Sequence, residues 1–259
     1  MDEVGALGIA ASLVLVAVAV GLSWRWGLGL ERSLVWASAR ALVQLLIVGW
    51  ALALVIDPGR PLFLSWLWVA AMVVFAADVA RRRAPEVPGI AVLALAAFAA
   101  TGAVALGVLF GLGILPLEGR TLVPMAGLAI GNAMNATVLA SRRIVEELRD
   151  KRLEVEARLA LGQRSQVAAR PYVRTALRTA LVPQIETTKA VGIIFLPGAM
   201  TGLILAGVDP VDAVMVQVVV MYLVLGSAAT ATTVVATGLV RRLFTPDHRL
   251  VGLPRPADE

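Results

Sequence analysis

Seven long apolar stretches constrain the fold of this chain more than any other feature of its sequence. A helix that crosses a bilayer needs about 20 mostly apolar residues in a row. Hydrophobic residues make up 59% of the chain and charged residues 16%, whereas soluble domains contain about 25% charged residues. The sequence therefore predicts an all-α, polytopic membrane protein with seven transmembrane helices, which run roughly over Val4–Leu22, Leu34–Ile56, Pro61–Ala80, Pro88–Leu115, Thr121–Ile144, Ala190–Val208 and Val211–Val240.

Basic residues are distributed unequally between the connections that join these stretches. The connections on one side, together with the C-terminal tail, hold 20 of the 23 lysines and arginines, whereas the opposite side holds two and Arg40 lies within a stretch. Cytoplasmic loops of membrane proteins carry such an excess of positive charge. We therefore predict a multi-pass protein of the inner or plasma membrane with its N-terminus outside and its C-terminus in the cytoplasm. The net charge of +5 then reflects topology, and no nucleic-acid partner is expected.

Residue types that many catalytic sites require are absent or rare in this sequence. It has no cysteine and a single histidine, His248, so we expect no thiol chemistry, histidine-based metal centre or serine–histidine–aspartate triad. Its two lysines, Lys151 and Lys189, do not follow a glycine, which excludes a phosphate-binding loop for ATP. We expect a transport protein that is not itself an enzyme and that binds no cofactor.

Two polar residues lie four apart inside the second apolar stretch. Arg40 and Gln44 share one face of a helix. A charge at membrane depth is costly, so Arg40 should face other helices or reach an interface. Two interpretations stay open, namely a structural anchor, or a role in a translocation pathway or in binding a phosphate or anionic lipid.

The fifth stretch carries two amides, Asn132 and Asn135, which share a helical face and need hydrogen-bond partners in hydrocarbon. They either join helices or line a translocation pathway. Met125 and Met134 lie near them in the sequence, so this face is expected to offer amide oxygens and thioethers. Such ligands suit a metal ion in transit, whereas the lack of carboxylate and imidazole groups argues against a tight metal site.

A polar cluster and a helix-breaking pair mark the sixth stretch. Glu186 and Lys189 lie three residues apart at its cytoplasmic start and are spaced to form an ion pair. Pro197 and Gly198 then interrupt the stretch, and Met200 follows. Broken helices occur in membranes where their backbone lines a cavity or is covered by protein. We interpret this region either as a gate of the translocation pathway or as a plain kink.

Residues 142–189 form the only long hydrophilic segment of the chain. We predict a helix over Ile144–Leu161 that continues the fifth stretch, a break at Gly162, and another helix that begins at Pro171. Tyr172–Leu181 is basic and amphipathic, which favours a position along the lipid headgroups.

Several motifs resemble those of a known transporter class. In the hydrophilic segment, Glu156-Ala157-Arg158-Leu159-Ala160-Leu161-Gly162 resembles the coupling motif of ABC-transporter permeases, although Thr175 stands where that motif has a Leu-Pro pair. The runs Arg40–Gly49, Pro124–Met134 and Lys189–Pro210 together resemble the FetB (YbbM-like) family. These are iron-export permeases of bacteria, and they are related to the aluminium-tolerance permeases of plants.

This resemblance implies one homodimeric permease domain over residues 1–259 that works with a separate ABC ATP-binding subunit, where ATP and Mg bind. It implies iron export with resistance to oxidative stress, while plant relatives are linked to aluminium tolerance and nucleotide sugars. Coupling to the ATPase subunit is then assigned, within residues 142–189, to Glu156, Ala157, Gly162, Gln163, Arg164, Gln166 and Arg170. The alternative is a stand-alone secondary transporter or channel, which the lack of an acidic residue in the middle of any stretch disfavours.

Overall fold

The computed structural model describes residues 6–57, 59–192 and 196–252, and within these ranges the regular elements are α-helices. The chain forms two compact units, Met1–Arg60 with the first two helices and Pro61–Glu259 with the rest. The helices are α1 (Ala6–Trp26), α2 (Glu31–Val55), α3 (Leu62–Arg83), α4 (Ile90–Gly111), α5 (Gly119–Asp150), α6 (Arg152–Ala160), α7 (Ser165–Ala190), α8 (Gly198–Leu205) and α9 (Pro210–Leu243). The prediction of an all-α fold is confirmed.

Five of these helices, α2, α3, α4, α5 and α9, are long and apolar enough to cross a membrane. They confirm the second, third, fourth, fifth and seventh predicted stretches as helices. The first stretch corresponds to α1, whose apolar part Ala10–Trp26 is shorter, and Val4 lies outside the described residues. The chain is therefore a multi-pass membrane protein, while the total of seven spans and the orientation of the termini stay predictions.

The predicted sixth span, Ala190–Val208, is wrong as a continuous helix. α7 ends at Ala190, and Gly192 has a φ of 88°, a left-handed conformation that glycine adopts without strain. Pro197 is extended and precedes α8, which has only eight residues and measures about 12 Å. The predicted interruption at Pro197 is therefore real, but it begins earlier, at the end of α7.

The hydrophilic segment also differs from its prediction in two places. The helix expected over Ile144–Leu161 is divided at Lys151 into the end of α5 and α6. The break at Gly162 is confirmed, with a φ of 84°. Pro171, however, lies inside α7, which begins at Ser165. The helix tolerates this proline because Val167, the residue four earlier whose carbonyl loses its donor, lies at the surface.

The basic stretch Tyr172–Leu181 packs into the bundle. It belongs to α7, and small side chains on one face of that helix are buried where α7 packs against α5 and α9. Small residues let helix backbones approach closely, which offsets the modest apolar area that each one buries. The buried face consists of Ala168, Ala169, Tyr172, Ala176 and Ala180.

The second unit is a bundle centred on α5 and α9, which pack against each other and against α4. Arg81–Arg83 end α3, and Arg241 and Arg242 end α9. These two helix ends lie at the same end of the bundle, because the side chain of Arg242 lies against Gly89 in the connection that follows α3. We call it the basic end.

Close packing of α9 against α4 depends on Gly238. A Cβ atom at this position would overlap the side chain of Leu93, which is buried in the core. We expect Gly238→Val to lower the free energy of unfolding by about 1–3 kcal/mol, the usual effect of overpacking. Thermal unfolding in detergent measures it, and Gly226→Val is the matched control, because a Cβ at that glycine of α9 meets nothing within 4 Å. Equal melting temperatures for the two variants would contradict this view of the packing.

Candidate functional site

Residues 151–170 form a corner at the basic end, which we call the α6–α7 corner. Val155 of α6 is fully buried in the core that also contains Leu148 of α5, so the corner is seated on the bundle. Leu153 and Leu161 instead have 82% and 81% of their surface exposed. Both side chains are therefore free to contact another protein.

A polar clamp joins α6 to α7. The Tyr172 hydroxyl donates a hydrogen bond to Oε2 of Glu154 at 3.0 Å, and Lys151 Nζ donates to Oε1 of the same carboxylate at 2.9 Å. The Arg158 guanidinium lies 5.9 Å from the centre of the Tyr172 ring, within cation–π range. These contacts join the start of α6 to α7.

The clamp is insensitive to pH near neutrality. Hydrogen bonds from Lys151, and then from Tyr172, hold the pKa of Glu154 below its ordinary value of 4.5. The contribution of the charged Glu154 to the stability of the fold is therefore present above pH 4.5, and it is lost as the pH falls through the lowered pKa. The hydrogen bond to Glu154 raises the pKa of Lys151 above its ordinary value of 10.5. The contribution of the charged Lys151 to the stability of the fold is therefore lost only as the pH rises through the raised pKa. Between 4.5 and 10.5 both partners stay charged.

The residues predicted to couple the chain to an ATPase lie together at this corner. Glu156 accepts a hydrogen bond from Arg152 Nε at 2.7 Å and is half-buried. Gly162 makes the left-handed turn between the helices, and Arg164 is the N-cap of α7. The Oε1 atom of Gln163 is buried without a hydrogen-bond partner among the described residues.

The other predicted coupling residues lie at the edges of the corner. Ala157 is exposed on α6. Gln166 and Arg170 are exposed on α7 and line a groove between α7 and α9, so they belong to a second surface as well.

Sequence reasoning missed three residues at this corner. Leu153 and Leu161 carry its exposed apolar surface. The sequence pattern that could have revealed them is the occurrence of leucines in a segment that is otherwise mostly charged. His248 holds the corner to the C-terminal tail, because its Nδ1 accepts a hydrogen bond from the Ser165 backbone N–H at 3.4 Å and lies 3.1 Å from the Ser165 hydroxyl. No local pattern links residues so far apart in sequence.

The two amides of α5 have found partners. Asn132 Nδ2 donates to the carbonyl of Leu128 in its own helix at 2.8 Å, so this donor does not join helices. Asn135 accepts a hydrogen bond from the Arg83 guanidinium of α3 at 3.0 Å. Asn135 therefore joins α5 to α3 through Arg83, one of the arginines of the basic end.

The two methionines do not form one face with these amides. Successive residues of a helix are rotated by about 100°, so Met134 points about 200° away from Asn132. Met125 and Met134 are both partly buried and pack against the hydrophobic core. The expectation of a combined amide and thioether surface is therefore wrong for Met134. In the described part of the chain, no group of three or more His, Cys, Asp or Glu residues could hold a metal ion.

The polar cluster of the sixth stretch lies at the C-terminal end of α7. Lys189 Nζ and Glu186 Oε1 form an exposed ion pair at 2.9 Å. After the break, Pro197 and Met200 are buried, and the Met200 backbone N–H donates to Oε1 of Gln217 on α9 at 3.3 Å. The break is thus bordered by an ion pair on one side and by a contact to α9 on the other.

Arg40 and Gln44 belong to the first unit, and both are exposed on α2. The described part of α2 contains no buried residue. The roles of Arg40 and Gln44 stay predictions.

The comparisons with known proteins place this sequence among membrane proteins. The model of an uncharacterised protein family, UPF0014, matches residues 6–244. The UPF0014 membrane protein STAR2 of Oryza sativa is 37% identical over 91% of this chain and 82% of its own length. The probable iron export permease protein FetB of Escherichia coli is 30% identical over 94% of this chain and 93% of its own length. The protein ALUMINUM SENSITIVE 3 of Arabidopsis thaliana is 34% identical over 95% of this chain and 90% of its own length. No solved structure matches significantly.

Proposed function

Since this chain belongs to the uncharacterised protein family UPF0014, we propose that it is the membrane subunit of an ABC transporter that exports iron or a related metal species. It works as a homodimer with a separate ATP-binding subunit, where ATP and Mg bind, and it carries no ATPase site of its own. The similarity to a probable iron export permease supports the cargo and the direction of transport. The asymmetry of basic residues supports seven spans with the N-terminus outside.

One observation carries the coupling role, namely the α6–α7 corner with its exposed leucines. Leu153 and Leu161 present apolar surface, and Arg152 and Glu156 form an ion pair on α6. An apolar centre within a polar rim is the usual composition of a specific protein interface. The ATP-binding subunit docks on this corner in our proposal.

Movement of the corner reaches the bundle through α7. The polar clamp holds α6 to Tyr172, and α7 continues without interruption from Ser165 to Ala190. A push at the corner therefore displaces the far end of α7, where the helix breaks at Gly192. Two copies of this element switch a central cavity between inward-facing and outward-facing states in the proposed dimer.

The far end of α7 lies at about the middle of the membrane in this proposal. Ile185 lines the same groove as Thr233 of α9. Thr233 precedes the end of α9 by about 15 Å of helix, which is half of a hydrocarbon core of about 30 Å. Glu186 and Lys189 then lie at a depth where ionisable groups usually serve a pathway. We therefore assign the pathway to the broken element between α7 and α8.

Co-purification tests the proposal. The tagged chain is expressed with the ABC ATP-binding subunit of the same organism, and subunit stoichiometry and ATPase rate are measured in detergent. We expect a complex of two chains with two ATP-binding subunits, and an ATPase rate that differs from that of the ATP-binding subunit alone. Failure to associate, combined with metal transport by the chain alone, would instead support a stand-alone transporter.

A further inference from the structure

A groove between α7 and α9 has a basic half and an apolar half. Its volume is about 840 Å³, within the range of sites that bind small molecules. The groove extends along α7 from Gln166 to Ile185 and along α9 from Thr233 to Arg241. Neither the exposed leucines of the α6–α7 corner nor the broken element line it.

Four arginines line the basic half: Arg170, Arg174 and Arg178 of α7, and Arg241 of α9. The three on α7 recur every fourth residue, so they follow one face of the helix at intervals of about 6 Å. The groove lining contains no carboxylate. In the described part of the chain, none of the four arginines forms an ion pair.

Several other arginines near the basic end form ion pairs with acidic neighbours. Arg81 and Arg82 pair with Asp78 at 2.8 Å and 2.7 Å, and Arg143 pairs with Glu146 at 3.0 Å. The groove arginines therefore stand out as a concentration of uncompensated positive charge, which attracts an anion. The planar guanidinium group suits phosphate in particular.

The other half of the groove is apolar. Beyond Arg178, α7 contributes Leu181, Val182 and Ile185, and α9 contributes Ala236 opposite them. This half extends away from the basic end, toward the membrane interior. A ligand that fills both halves has an anionic head and a hydrocarbon tail.

We infer that this groove binds an anionic phospholipid from the leaflet at the basic end, with its phosphate on the arginines and an acyl chain against the apolar half. Basic pockets between transmembrane helices commonly bind such headgroups. The lipid joins α7, which carries the coupling corner, to α9. The inference rests on the groove and on the multi-pass fold, and it does not require an ATP-binding partner or a metal cargo.

Native mass spectrometry of the full-length chain in detergent tests this inference. Phosphatidylglycerol or phosphatidylcholine is added at equal concentration, and the bound fraction is read from the mass. We expect at least tenfold preference for phosphatidylglycerol, and loss of that preference in the Arg174→Gln/Arg178→Gln double variant. Arg120→Gln/Arg143→Gln is the control with the same change of net charge, because both residues lie outside the groove and have acidic partners. It should bind as the wild type does.

A second variant tests the apolar half without a change of charge. Thr237 is an exposed residue of α9 that lines the groove, so Thr237→Phe should fill the space and reduce phosphatidylglycerol binding several-fold. Wild-type binding in both groove variants would overturn the inference. Full competition by soluble glycerol phosphate would also overturn it, because the ligand would then be a free anion. Loss of the dimer mass in these variants, with lipid binding unchanged, would assign the groove to a second copy of this chain.

Discussion

Leu161→Asp is expected to abolish capture of the ATP-binding subunit while the chain still inserts and folds. Leu161 is 81% exposed at the α6–α7 corner, so the change removes no packing from the bundle. If Leu161 is a hot spot of the interface, its loss weakens binding by about 2 kcal/mol or more, which is about thirtyfold in affinity. A buried aspartate without a partner weakens it further. Immobilised chain and increasing concentrations of ATP-binding subunit give the affinity.

Leu112→Asp is the matched control for this experiment. Leu112 is 74% exposed at the end of α4, away from the α6–α7 corner. We expect this variant to capture the partner with wild-type affinity. Equal affinity of the wild type and Leu161→Asp would show that the ATP-binding subunit docks elsewhere.

Glu186→Gln is expected to reduce metal transport at least tenfold while leaving capture of the ATP-binding subunit unchanged. The substitution removes the carboxylate that pairs with Lys189 at the break between α7 and α8. If the pathway passes this break, the charge acts on the cargo, and an ionisable group at that depth is costly to rearrange. Initial transport rates in vesicles of matched protein content measure the effect.

Glu146→Gln is the control for the pathway experiment. Glu146 pairs with Arg143 at 3.0 Å with the same spacing of three residues, but it lies on α5 near the basic end. It should transport at the wild-type rate. The exchanged pair Glu186→Lys/Lys189→Glu separates the two roles of the ion pair. Full recovery of transport in this double variant would show that the pair is structural, and it would contradict a role in the pathway.

Hydropathy predicted most of the fold because a bilayer imposes a single length and composition on each spanning helix. α2, α3, α4 and α9 begin and end close to the predicted limits, whereas α5 continues to Asp150, past the predicted limit at Ile144. The same criterion failed for α7, whose arginines and threonines lower its hydropathy. α7 is a helix of the bundle because its alanine face packs against α5 and α9. That is a tertiary effect, and no local window contains it.

The candidate site was predicted where local geometry decides and was missed where contacts are long-range. Gly162 was predicted to break the helix, because a left-handed turn favours glycine. The clamp of Glu154 to Tyr172 and the contact of His248 with Ser165 join residues that are distant in sequence. Met134 was grouped with Asn132 by proximity, and helical rotation separates them.

Transport by purified components tests the central proposal most directly. The chain and the ATP-binding subunit are inserted into liposomes with the ATP-binding subunit on the outside, and Fe²⁺ in the lumen is measured after ATP addition. We predict that Fe²⁺ accumulates only when both subunits and hydrolysable ATP are present, and that the Leu161→Asp variant accumulates none. Equal Fe²⁺ movement by the chain alone, without ATP, would contradict the proposal that this chain is the membrane subunit of an ATP-driven exporter.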